Sequence, residues 1–305
     1  METLSRRTIT LGSRPSKLAR WQTEHILEQL KNVHPDLTFR VVTMITEGDK
    51  ILDRPLPEIG GKGVFTAELE IALRSAEIDL AVHSLKDLPV DNSPGLWIGA
   101  VSMRANPQDV LVSTHRQTLQ NLPSGARVGT SSLRREAQLR AARPDLVILP
   151  LRGNVDTRLR KVLQGDYDAI ILAAAGIERL DLGQHITEYL SFETMLPAPG
   201  QGALAVQCRS EDDNLLDLLQ SIHDDATYRA VTAERAFLST LGGGCSAPVA
   251  AYAQTNGTGL DLRGLVASVD GKHVVRVHAT GEDPTDLGSR LARQALEQGA
   301  GELLQ

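Results

Sequence analysis

One of the chain's two cysteines, Cys245, directly follows three glycines in the stretch TAERAFLSTLGGGCSAP, Thr232 to Pro248. The apolar spacing of Val231, Phe237, Leu238 and Leu241 predicts an amphipathic helix that runs into Gly242, Gly243 and Gly244, and Pro248 forbids its continuation. A thiol on such a loop can carry or attack a bulky group, because glycine lacks the Cβ that keeps other residues at a distance. A glycine-capped helix with a small buried cysteine is the plainer reading, but three glycines exceed what a cap needs. A nucleophilic cysteine would need a base. No histidine lies within twenty residues of Cys245, although folding can bring one.

Asp87 lies in His83-Ser84-Leu85-Lys86-Asp87-Leu88-Pro89, at the exit of the apolar run Ile78 to Val82. His83, Ser84 and Asp87 do not make a hydrolase triad, since neighbours on one short turn cannot be aligned in series. Read by itself, Asp87 ends a strand before a proline. Three further stretches carry cations beside hydroxyls or glycine. Arg14 and Ser16 follow the apolar run Thr8 to Gly12. Thr130, Ser131 and Ser132 precede Arg134 and Arg135 in GTSSLRR. LRGNVDTRL places Arg152 and Gly153 in a turn and Arg158 on the first turn of the next helix. Between Arg127 and Lys161 nine basic residues stand against three acidic ones, in a chain of net charge −6, which predicts an anion site. Arg140, Arg143 and Arg160 suit solvated helix faces; the arginines at strand ends do not.

Each of these stretches must sit where a strand hands over to a helix, because free amides at a helix N-terminus bind anions and open α/β sheets take ligands at their carboxyl edges. The spacing predicts strands over Thr8 to Gly12, Leu37 to Ile45, Ile78 to Val82, Leu96 to Ser102, Asp109 to Val112, Ala126 to Gly129 and Leu146 to Leu151. A further strand, Asp168 to Gly176, is continuously apolar, as in a buried parallel sheet. Helices are predicted after Ser16, from Phe65 to about Ser75, after Ser132 and from Val155 to Leu163, with Ser16 and Ser132 as caps. Glu47 to Gly63, with two prolines, four glycines and no consistent periodicity, reads as a loop or lid. Pro197 to Gly202 reads as a hinge. Ala203 to Gln207 then returns as a strand ended by Cys208, a small structural thiol. After Glu211 come two helices, strands over Val249 to Ala253, Leu260 to Ser268 and His273 to Ala279, and a helix from about Thr285 to Gln298, which together suggest a small α+β domain.

At 305 residues two or three domains are expected. The 41% apolar and 23% charged residues are ordinary for a globular enzyme, and 3% aromatics argue against a stacking platform for nucleic-acid bases. No run is long enough to span a bilayer, the N-terminus lacks the apolar run of a signal peptide, and eight scattered histidines make no metal cluster. Cytoplasmic residence with free thiols is the expectation. A non-catalytic bilobed binding protein for an anionic solute could use the same arginines, but it has no use for the GGGC loop.

ERAFLSTLGGGCSAPVAAYA closely resembles the cofactor-attachment signature of the porphobilinogen deaminase family. SRPSKLA, HSLKDLP, GTSSLRR and LRGNVDTRL resemble further motifs of that family, so the likeness runs from about Leu11 to the C-terminal segment. The resemblance implies α/β architecture with two lobes like periplasmic binding proteins, 1–102 with 203–220 and 103–202, and a small α+β C-terminal domain, 221–305. It implies that Cys245 anchors a dipyrromethane cofactor through a thioether and that Asp87 is the essential carboxylate. Arg14, Ser16, Ser84, Lys86, Thr130, Ser131, Ser132, Arg134, Arg135, Arg152, Gly153 and Arg158 would bind the carboxylates of cofactor and substrate. Asp49, Lys62 and Phe65 would belong to a flexible active-site loop, in which Glu58 departs from the basic residue expected. The implied activity joins four porphobilinogen molecules into hydroxymethylbilane, with no metal, nucleic-acid or membrane partner, in a cytoplasmic monomer.

Overall fold

The computed structural model describes residues 7–50, 66–91, 93–242 and 247–304, with the side chains at 49 and 50 left aside. Its chain divides into two compact units, Met1–Arg104 with Ala203–Tyr228 and Ala105–Gly202 with Arg229–Gln305.

In the first unit, strands β1 (Thr8–Ser13), β2 (Thr38–Thr43), β3 (Leu80–Ser84) and β4 (Leu96–Val101) are joined by the returning strand β10 (Leu204–Arg209). The sheet order is β2-β1-β3-β10-β4, with β1 parallel to β2 and β3 and β10 antiparallel to both its neighbours. Alternation along β3 assigns its side chains to opposite faces. Leu80 and Val82 pack with Ile26 and Leu30 of helix α1 (Lys17–Val33), and Ala81 packs with Leu69 and Leu73 of a second helix, Ala67–Arg74. Ser16 caps α1 as expected, its Oγ accepting from Ala19 N at 3.2 Å. The stretch read as a loop from Glu47 opens with a short helix, α2 (Glu47–Lys50), which makes Ala67–Arg74 α3. Lys62 and Phe65 lie outside the described residues, and Asp49 is described by its backbone alone.

The second unit repeats this plan. Strands β5 (Asp109–Ser113), β6 (Arg127–Gly129), β7 (Val147–Leu149), β8 (Ala169–Ala173) and β9 (Glu188–Tyr189) are ordered β7-β6-β8-β5-β9. Here β5 takes the place that β10 holds in the first sheet, antiparallel to both neighbours. The strand expected over Asp168 to Gly176 stops at Ala173, where its pairing with Asp109 of β5 ends, and Ala174 opens a helix. Its continuous apolar run reflects burial on both faces, Ile171 in one core and Ile170 and Leu172 in the other, and not strand direction. β8 is parallel to β6 and antiparallel to β5. Helices α4 (Leu133–Ala142) and α5 (Val155–Leu163) follow β6 and β7, and α6 (Ala174–Glu178) follows β8.

Helices α7 (Asp213–Gln220) and α8 (Asp225–Thr240) lead to an antiparallel sheet of β11 (Val249–Asn256), β12 (Gly259–Ala267) and β13 (Val274–Gly281), closed by α9 (Pro284–Glu297). Gly264 of β12 admits the ring of Phe237, whose Cζ would lie 2.5 Å from any Cβ there. On the opposite face, Ala250, Leu265 and Ala267 pack with Ala137 of α4 and Leu196. The architecture is α/β, with two five-stranded mixed sheets and a small three-stranded antiparallel sheet flanked by helices near the C-terminus. Among the described residues no helix is long and apolar enough to cross a membrane.

Candidate functional site

In the first unit, β1 and β3 are parallel neighbours, so Arg14 and the turn after Ser84 emerge at the same end of the sheet, β3 running two residues further than β1. Leu85 to Asp87 form a single 3-10 turn pinned by Leu85, which is 1% exposed and donates its N–H to Ala203 O at 3.0 Å. With Leu85 as the buried anchor, Asp87 is exposed and Lys86 half-buried. Asp87 therefore presents a carboxylate from a fixed turn at a strand's carboxyl end, where ligands bind in open α/β sheets. His83, on β3 before this turn, is buried, and burial with the charge of nearby Arg14 lowers its pKa to about 4. A neutral His83 is consistent with support of the turn, not with acid catalysis near neutrality.

Gln22 is a residue at this end of the sheet that the motifs do not include. It lies on α1 at four-residue spacing between Leu18 and Ile26, a polar residue on an apolar stripe, which is the available signal. Its Nε2 donates to Ser84 Oγ at 2.8 Å. The Ser84 hydroxyl thus serves as acceptor within the protein and keeps its own proton for an outside acceptor such as a carboxylate.

The second unit brings two strand exits together, since β6 and β7 are parallel neighbours. Their hydroxyls are not equivalent. Ser131 Oγ donates to Leu151 O at 3.0 Å and accepts from Leu151 N at 2.9 Å, which ties the two exits together. Thr130, 3% exposed, accepts from Ser132 N at 3.2 Å. Both are expected to meet a ligand; Ser131 commits donor and acceptor alike to Leu151, whereas Thr130 gives the turn an acceptor and keeps its own proton. Ser132 stands at the N-cap of α4 as expected but makes no side-chain capping bond; Asn154 stands likewise at the N-cap of α5. These two helices thus present first-turn amides that their own caps do not satisfy. Gly153, between them, has φ +113°, and a Cβ there would meet Thr157 Cγ2 at 2.8 Å, so only glycine suits the turn. Arg158 Nε donates to Gly153 O at 2.7 Å, and Arg152 is half-buried at the exit of β7.

Arg134 and Arg135 require the largest correction. Both were expected to bind ligand carboxylates, but they turn inward onto Asp109, which is 0% exposed. Arg134 Nη1 reaches Asp109 Oδ2 and Leu196 O, each at 2.7 Å. Arg135 bonds Asp109 Oδ1 through Nη2 at 2.7 Å and Nε at 3.2 Å, and gives Nη1 to Ile171 O. Burial alone would raise the Asp109 pKa, but the two guanidinium groups overcome it and hold the carboxyl well below the usual range. Arg143, expected on a solvated face, instead bonds Leu119 O, Leu122 O and Asp145. Arg135→Leu should therefore act on stability. Removing one partner of a buried ionic cluster costs about 3–5 kcal/mol, so thermal unfolding should shift down sharply. An unchanged midpoint would show that Asp109 does not depend on Arg135. Cys245 lies outside the described residues, which resume at Ala247 after Gly242.

The donors at the two exits of the second unit are hydroxyl, amide and guanidinium groups, a set suited to a ligand bearing several carboxylates. A family model described as porphobilinogen deaminase, dipyromethane cofactor binding domain, matches residues 9–217, and one described as porphobilinogen deaminase, C-terminal domain, matches residues 228–297. The chain is similar to the porphobilinogen deaminase of Roseiflexus castenholzii, 51% identical over 98% of this chain and 99% of that protein. It is 48% identical to the porphobilinogen deaminase of Bacillus subtilis, over 98% of this chain and 96% of that one. A solved structure of the BenM effector binding domain with its effector benzoate aligns at a TM-score of 0.43 and 14% identity, over 70% of this chain and 90% of that one. With one model across both sheets, another across the C-terminal sheet, and relatives alike over nearly their whole length, the chain belongs to the porphobilinogen deaminase family.

Proposed function

We propose that the family reaction runs in this chain on Asp87, with Cys245 as the covalent anchor and Arg14, Ser16, Ser84, Lys86, Ser132, Arg152, Gly153 and Arg158 as the donors that hold carboxylates. The enzyme deaminates porphobilinogen and condenses four molecules head to tail into hydroxymethylbilane, a step of tetrapyrrole biosynthesis. Dipyrromethane, when bound, supplies the primer and the free pyrrole carbon at which the chain grows. The protein's own residues must bind anionic side chains, hold the substrate ring and manage charge. As porphobilinogen loses ammonia, positive charge develops on its pyrrole, and a carboxylate beside the ring nitrogen stabilises that charge. Asp87 can also accept, at a carboxylate oxygen, the proton displaced when the new carbon–carbon bond forms. The placement of Asp87 on a turn pinned by buried Leu85 carries this reading.

The proposed division is a catalytic lobe, 1–102 with 203–220, a carboxylate-binding lobe, 103–202, and a C-terminal domain, 221–305, that bears Cys245. What supports it is the chain's departure from the first sheet after Val101 and its return at Leu204. We read the protein as a cytoplasmic monomer whose only partner is its substrate, without nucleic-acid or membrane ligands; the free, buried Cys208 suits a reducing compartment. Asp49, Lys62 and Phe65 would act in the active-site loop.

Arg152→Leu tests the binding set. Losing one charge-assisted contact should cost about 1.5–3 kcal/mol, or roughly 10- to 150-fold in affinity for porphobilinogen or in cofactor assembly. Normal kinetics with a fully loaded cofactor would remove Arg152 from the site.

A further inference from the structure

The segment 196–202, which leads out of the second unit towards β10, is buried apart from Ala198 and is held by side chains on two sides. On one side, Gln138 of α4 donates Nε2 to Leu196 O at 3.0 Å and accepts Leu196 N at 2.8 Å. Gln201 then donates Nε2 to Pro107 O at 2.8 Å and to Asp109 Oδ1 at 2.9 Å, adding to the cluster that fixes Arg134 and Arg135 on α4. On the other side stands Glu234 of α8, 0% exposed. Its Oε2 accepts Gly200 N at 2.6 Å and its Oε1 accepts Ala253 N at 2.8 Å. Ala251 N also donates to Pro197 O at 3.1 Å.

Glu234 thus spends each oxygen on a different backbone segment. A glutamine there could satisfy one amide but would turn an NH2 towards the other. α8 runs on towards Gly242, and β11 starts at Val249, so Glu234 links both elements that bracket Cys245 in sequence. The same segment 196–202 is tied to α4, whose N-terminus carries Ser132. We propose that Glu234 and Gln201 are positioning residues: through 196–202 they fix α8 and β11, the elements that bracket Cys245 in sequence, to α4. This rests on the assignment of Cys245 as anchor. Because a tethered chain must meet its donors at fixed reach, a small shift of the tether falls on orientation and therefore on turnover.

The experiment compares wild type, Glu234→Gln and Gln201→Met as purified holoenzymes, by intact mass and by steady-state kinetics scaled to the folded fraction. Misplaced reacting groups cost up to about 100-fold, so kcat should fall by about 10- to 100-fold while KM for porphobilinogen stays within about twofold, well inside that penalty. A purely structural role would lower the folded fraction and leave kcat per folded molecule unchanged, which would overturn the proposal. A wild type without a pyrrole adduct would overturn the Cys245 assignment and this proposal with it; an adduct in the wild type with normally active variants overturns this proposal alone. If neither variant folds, hydrogen exchange in the wild-type holoenzyme decides. The Gly200 and Ala253 amides should exchange as slowly as core amides, and exchange at the rate of exposed amides would eliminate the clamp.

Discussion

Asp87→Asn should fold, bind porphobilinogen and turn it over about 100- to 1000-fold more slowly than the wild type. Asparagine keeps the size of the side chain and one acceptor but removes the charge. A residue that merely closes the turn after β3 would tolerate the change, because the turn is anchored by Leu85, whose N–H is bonded to Ala203 O. The magnitude needs an account, since Asp87 is exposed in the protein alone. Two unit charges about 4 Å apart interact by about 1 kcal/mol in water and about 4 kcal/mol at the effective dielectric of a partly shielded site. A hundredfold effect corresponds to about 2.7 kcal/mol, so the bound pyrroles themselves must displace water from Asp87. The defect should then fall on the condensation step and leave the initial encounter intact. Single-turnover consumption of porphobilinogen by mutant protein supplied with preassembled cofactor isolates that step. A rate within about threefold of the wild type, far inside the electrostatic penalty, would take Asp87 out of the mechanism.

The parts of the site that were legible in the sequence are those fixed by neighbours a few residues away. Ser16 caps α1 through Ala19, three positions on, and Asp87 follows its strand within one turn. The parts that were not legible depend on partners far along the chain. Whether the first turn of α4 shows its arginines to a ligand or to the core is decided by Asp109, 25 and 26 positions earlier, and nothing in GTSSLRR announces that carboxylate. Ser131 is claimed by Leu151 in the same way, 20 positions later. The apolar run of β8 predicts a parallel sheet, and β8 is parallel to β6, but the antiparallel β5 that enters from a crossover on its other side is buried equally. That insertion, by β10 in one sheet and β5 in the other, is a property of the connection between units. The alternation of strands and helices was enough for the fold class, and the hydroxyl-and-arginine clusters stand at strand exits as their spacing implies. The division of labour within each cluster was not contained in it.

Cys245→Ala should abolish activity outright and remove a covalent adduct of two pyrroles from the denatured protein, with the fold retained. The substitution removes one sulfur atom and leaves the three glycines of the sequence unchanged. What is lost is the acceptor: without a tethered primer the first condensation has no fixed pyrrole carbon to extend, and free substrate must supply it from solution. Holding two reactants in place is worth about 7–11 kcal/mol of barrier in well-oriented systems, so residual turnover should fall below detection. The second cysteine provides the control. Cys208 is 0% exposed, and burial, with the charge of Asp212, pushes its thiol up to about 11 despite Arg209. At pH 8 a thiol of that kind is ionised in roughly one molecule per thousand, and its position inside the first core leaves no path for a pyrrole. Cys208→Ser should therefore keep the full adduct and nearly normal turnover per folded molecule. Intact mass under denaturing conditions reads all three proteins directly. An adduct that persists in Cys245→Ala, or an active wild type at its bare sequence mass, would refute the anchor.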